Sequence, residues 1–145
     1  MTNSQYINAY KKTQQSTNSV TSSHEIVRTL MKELVNSMQK IVLDIQDERK
    51  RKQNQFSVKK EFEEKNARNK SKNLSKSLSI IYGLQTSLDF DKALEIANNL
   101  FQLYEYCRHE IIKGFSQKIE DGILKAIDVV KQIMEGWEEI PSLDK

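Results

Sequence analysis

One proline and four glycines in 145 residues leave few forced breaks in the chain. Long helices are therefore open to it, while an all-β fold with its many tight turns is disfavoured. The single cysteine, Cys107, excludes an internal disulfide. At the spacing of an apolar helix face it reads as a small buried hydrophobe instead of a reactive thiol. No apolar run approaches the ~18 residues of a membrane span, so no membrane insertion is expected. The first residues are rich in Ser, Thr, Asn and Gln and show no hydrophobic signal region. A reducing cytoplasmic setting fits these features.

Catalytic signatures are missing as well. There is no phosphate-cradling Gly-x-x-x-x-Gly-Lys loop, no Gly-x-Ser-x-Gly elbow and no Cys-x-x-Cys pair. A di-metal site in a helix bundle needs Glu three residues before an inward His. Thr21 precedes His24 at that spacing and Tyr106 precedes His109. Close acidic pairs such as Asp44/Asp47 and Glu138/Glu139 read as solvated helix faces. The expectation is a protein that is not an enzyme and has no metal or cofactor.

What is present is charge and helical periodicity. Charged residues make up 30% of the chain, with a net charge of +3. The positive charge concentrates in Arg49–Lys72, while Glu135, Glu138, Glu139 and Asp144 make the C-terminal end acidic. The basic stretch reads as the solvated tip of a helical hairpin. A patch for nucleic acid or an acidic partner is the sharper alternative. Phe56 and Phe62 are the sole aromatics among these basic residues, which weighs against base stacking and hence against nucleic acid.

Residues 1–20 read as a flexible N-terminal segment, with one exception: Tyr6, Ile7 and Tyr10 place large side chains within reach of one another, and on a short helix Ile7 and Tyr10 share a face. Ser22-x-x-Glu25 has the form of a capping box. A sustained stripe from Ile26 to Ile45 follows. Helices are expected at about 23–50, 57–86, 89–113 and 117–139, within a bundle spanning 22–140 and followed by a tail at 141–145. The second helix has a broken stripe: Phe62, then Leu74, Leu78, Ile81, Leu84 and Leu88. Asp89 is the expected N-cap of the third helix, Gly114 its left-handed terminus, and Ser116 the cap of the fourth. The fourth helix should present Ile119, Ile123, Ala126, Ile127, Val130, Ile133, Met134 and Trp137, with Pro141 stopping it. Short connections between long amphipathic helices imply an all-α, antiparallel up-down four-helix bundle with a short N-terminal helical segment.

Ser87–Tyr106, SLDFDKALEIANNLFQLYEY, carries the densest information. Ala93, Ala97, Leu100, Tyr104, Cys107 and Ile111 lie on one helical face, and Ile96, Leu100 and Leu103 form a flanking stripe. A bundle helix needs one stripe for its own core, so a second leaves surface for another chain. Ser87-Leu88-Asp89, then Glu95-Ile96-Ala97, Asn99-Leu100 and Leu103-Tyr104 with Tyr106, resemble the flagellar export chaperones of the FliS family. The Ile7–Tyr10 segment and Trp137 extend the resemblance over most of the chain. Leu34 departs from it, standing where family members commonly have glycine.

The resemblance implies a cytoplasmic secretion chaperone that binds the C-terminal segment of flagellin in an apolar groove. Capping that segment would prevent premature polymerisation and keep the subunit competent for export. It also implies a second interaction, with the flagellar export gate. The expected partner-binding residues are Ile7, Tyr10, Ile81, Leu88, Ile96, Asn99, Leu100, Leu103, Tyr104 and Tyr106. Ile96, Asn99 and Leu103 are read as facing outward, while Leu100 and Tyr104 suit the core at least as well. Two other readings stand beside this one: a basic helical nucleic-acid-binding protein using 49–72, and a structural bundle that self-associates through its apolar stripe.

Overall fold

A computed structural model describes residues 23–54 and 60–138. Within these residues the chain forms four helices and no strands: α1 (Ser23–Asn54), α2 (Lys60–Thr86), α3 (Leu94–Gln117) and α4 (Asp121–Glu138). Each packs on its neighbours in the cyclic order α1–α2–α3–α4–α1, and α1 meets α3 only slightly across the diagonal. That is the up-down arrangement expected of long helices joined by short connections. The N-terminal segment with Ile7 and Tyr10, Ser22 of the capping box, and the residues from 139 onward lie outside the described residues.

The core is built from one stripe per helix. Met31, Leu34, Met38 and Ile41 of α1 meet Ile81 and Leu84 of α2, Tyr104 and Ile111 of α3, and Ile123 and Val130 of α4, all essentially without solvent exposure. Burying a side chain of this size contributes about 1.5–3 kcal/mol relative to leaving it exposed. Leu74 and Leu78 pack against the cluster from the second half of α2, in keeping with the broken stripe in the sequence. Cys107 is fully buried, and burial pushes its thiol up to about 12, so it is inert at neutral pH.

At one end of the bundle α1 and α4 are clasped by a pair the sequence did not announce. The His24 ring lies 5.0 Å from the Trp137 ring and nearly parallel to it. His24 Nε2–H donates to the Trp137 carbonyl at 2.9 Å, and Trp137 Nε1–H donates to the His24 carbonyl at 2.9 Å. Two buried polar rings thus satisfy each other's backbone across 113 residues of sequence. At the opposite end Glu48 receives Lys70 at 2.8 Å and Lys118 at 2.5 Å, and Arg49 forks onto Glu120.

Three expected helix ends fall elsewhere. Asp89 does cap a turn, since its Oδ1 accepts from the backbone N–H of Asp91 and of Lys92 at 3.1 Å each. That turn is separate from α3, because Ala93, at φ −150°, breaks the chain and supplies no side-chain cap. The detour lets Phe90 pack on the core and meet Phe101 edge to face at 6.1 Å. Gly114 does not end α3. It is buried inside it, and a Cβ there would come within 2.7 Å of the Ile119 carbonyl oxygen and 2.6 Å of Ile123 Cδ1. The glycine serves close approach instead of a left-handed turn. Lys118 takes the left-handed conformation (φ 59°), with its N–H and that of Ile119 closing onto the Gly114 carbonyl. Ser116 accordingly falls within α3, and Ile119 sits half-exposed in the connector, outside α4.

An apolar shoulder between α3 and α4

The packed arc of α3 is wider than a single stripe. Ile96 and Ala97, adjacent in sequence, are both buried, as are Leu100, Tyr104, Cys107 and Ile111. On a helix turning 100° per residue, this arc uses more than a quarter of the circumference. Beyond its edge lie Asn99, Leu103 and Tyr106, which recur at steps of four and three and so share one side of α3. Leu103 and Tyr106 are each 38% exposed.

Glu110 continues the same side, and its carboxylate stands against Gly122 at the start of α4. This side of α3 therefore faces α4. On α4, Val129, Ile133 and Gly136 follow Gly122 at helical spacing and share its side. Val129 and Ile133 are partly buried against the core, and a Cβ on Gly136 would meet nothing within 4 Å. Because the helices run antiparallel, these residues form two walls of one seam: Asn99, Leu103 and Tyr106 on α3, Val129 and Ile133 on α4. The sulfur of Cys107, 3.7 Å from the Ala126 carbonyl, fixes the register beneath.

The other side of α3 is sealed. Gln85 of α2 reaches across to the Phe101 carbonyl at 3.3 Å and to Glu105 at 2.9 Å. Arg108 forks onto the same Glu105, and the two contacts together hold its carboxyl below the ordinary range. Tyr82 of α2, at 69% exposure, and Leu94 at the start of α3, at 61%, are further exposed apolar side chains.

Of the residues singled out in the sequence, Asn99, Leu103 and Tyr106 are brought together on the shoulder. Ile81, Leu88, Leu100 and Tyr104 are buried in the core. Ile96, read as facing outward, is also buried, at 6% exposure, because α3 packs on two neighbours at once and its core arc takes in both Ile96 and Ala97. Val129 was missed. The signal was available in the spacing of Val129, Ile133 and Gly136, a second edge on α4 like that on α3. Among the described residues no group of His, Cys, Asp and Glu is placed to hold a metal ion, and no helix is long and apolar enough to cross a membrane.

The class that the described residues define is a four-helix bundle whose third helix keeps Leu103 and Tyr106 partly exposed beside its packed arc. The profile of the family described as "Flagellar protein FliS" matches residues 6–143, and the chain belongs to that family. It is similar to the flagellar secretion chaperone FliS of Vibrio cholerae, 29% identical over 72 residues, which cover 50% of this chain and 53% of that protein. It is also similar to the flagellar secretion chaperone FliS of Salmonella typhimurium, 33% identical over 72 residues, covering 49% and 53%. The chain thus spans about half the length of the curated relatives it matches. No solved structure matches.

Proposed function

We propose that this protein is a cytoplasmic secretion chaperone of flagellar assembly, and that it holds the C-terminal segment of flagellin on the α3–α4 shoulder. The observation that carries the reading is the exposure of Leu103 and Tyr106 beside Asn99, in a chain of this family whose core is already filled without them. An amphipathic cargo helix laid along the seam would bury both side chains, and Asn99 can donate to a cargo carbonyl. Such cargo is commonly disordered when free and folds as it binds, so it can be held without a catalytic step. While bound, it cannot take part in subunit–subunit contacts.

In this reading Ile7 and Tyr10 cover the shoulder when cargo is absent, and the cargo replaces them. The covered fraction lowers the apparent affinity in proportion. Ile81, Leu88, Ile96, Leu100 and Tyr104 act from beneath, by fixing the position of α3. Transfer to the export gate would follow as a second interaction.

Calorimetric titration with the C-terminal segment of the host's own flagellin tests this. The expected result is one-to-one binding with little salt dependence, weakened at least tenfold (about 1.4 kcal/mol) in Leu103→Asp. Absence of binding, or unchanged binding in Leu103→Asp, would refute the shoulder as the cargo site.

A further inference from the structure

The bundle has a second unfilled surface, and its described side chains are charged, polar or small. Residues 49–72 hold ten Lys and Arg against three Glu, whereas the remainder of the chain holds 13 against 17 Asp and Glu. The positive charge of this protein is therefore local, and the rest of the molecule has the opposite sign.

The ion pairs divide these cations into two sets. Lys70 and Lys118 bind Glu48, with Lys52 3.7 Å from it; Arg49 binds Glu120; Lys76 binds Glu33. The pairs at Glu48 and Arg49 tie the base of the α1–α2 hairpin to the bundle, and Lys76–Glu33 joins α1 to α2 further along. Lys65, Arg68 and Lys72 take part in none of them, and all three are exposed. Their spacing of three and four residues puts them on one face of α2, in a row of about 10 Å at ~1.5 Å per residue. Like charges in such a row repel each other. Around them the exposed side chains are Ala67, Asn69, Ser71 and Ser75.

The absence of apolar side chains here selects among anionic partners. Among the described residues, no large hydrophobic side chain is exposed between Lys65 and Ile81. A specific protein interface needs apolar or aromatic anchors at its centre. A helix lying on a lipid surface needs an apolar face to insert. A phosphodiester backbone needs only cations and small hydrogen-bond donors, which Lys65, Arg68, Lys72, Asn69 and Ser71 supply. We propose that this face of α2 binds the backbone of nucleic acid without sequence preference. The sparse aromatics noted in the sequence bear on base stacking, which backbone binding does not require.

The test is fluorescence anisotropy of the full chain with a labelled mixed-sequence single-stranded RNA of about 20 nucleotides. Expected is micromolar binding at 50 mM salt that weakens roughly 20-fold at 200 mM, as three phosphate contacts dictate. The triple variant Lys65→Gln/Arg68→Gln/Lys72→Gln should bind at least tenfold more weakly, with an unchanged melting curve, while Leu103→Asp should bind RNA like the parent. No binding at 50 mM salt, unchanged binding by the triple variant, or competition by poly-glutamate as effective as that by unlabelled RNA would each overturn the proposal. The last outcome would identify an acidic polypeptide as the partner.

Discussion

The shoulder of α3 and the exposed face of α2 are both what remains after the core is filled, and they differ in every physical respect. On α3, Leu103 and Tyr106 extend a continuous apolar arc past the point where α4 can cover it. On α2, Leu74 is the first described side chain packed on the core, and Lys65, Arg68 and Lys72 before it project into solvent. The first surface rests on buried residues of α3, so the cargo proposed above would meet a preorganised face and lose little ordering entropy on that side. The second relies on charge, which acts at distance and is screened by salt. One molecule thus carries a short-range and a long-range surface on adjacent helices.

The contrast breaks most sharply if the bundle that carries both surfaces is opened at its α1–α4 end. Trp137→Ala deletes a buried ring and leaves the His24 carbonyl without its indole donor. A loss of about 3–5 kcal/mol is expected, read as a lowered urea midpoint. Leu103→Asp is the milder case: with Leu103 38% exposed, about 1–2 kcal/mol of stability is expected to go, less than for Trp137→Ala, together with the loss of cargo affinity proposed above. A large destabilisation by Leu103→Asp would mean that the shoulder is core after all.

Gly114→Ala sharpens the comparison from the packing side. The added methyl would press on the Ile119 carbonyl and on Ile123, forcing α3 from α4. About 1–3 kcal/mol should be lost, and cargo affinity should fall as well, because the two walls of the seam separate. Titration and denaturation of the same variant would check both.

The smallest expected effect lies at the hairpin base. Burial would raise the Glu48 carboxyl, but hydrogen bonds from Lys118 and Lys70 outweigh it and bring the group to about 2. The unfolded carboxyl titrates near ~4.3. Its contribution is therefore whole above that value and is lost as pH falls from there toward 2. The ion pairs are partly solvated, so the amount is about 1 kcal/mol. Glu48→Gln should flatten stability across that acid window and leave the shoulder unaffected, as stability measured against pH would reveal.

Much of this was legible from residue spacing. The stripes from Ile26 to Ile45 and from Leu74 to Leu88, with few breakers, specify amphipathic helices, and four such helices with short connections specify a bundle. Three features were not. Gly114 could signal a left-handed end or a close approach, and only the position of Ile119 and Ile123 decides between them. His24 and Trp137 are too distant in sequence for any local pattern to pair them. Ile96 and Leu103 both flank the main stripe of α3, yet one is buried and the other exposed.

The sequence by itself determined which faces of each helix are apolar, because periodicity is a local property of the chain, and it carried enough residue identity to indicate the family. Tertiary structure alone decided where the apolar arc of α3 stops being core. That boundary depends on how close α4 comes, which is set by contacts such as Gly114 with Ile123 and Glu110 with Gly122 that join residues of different helices.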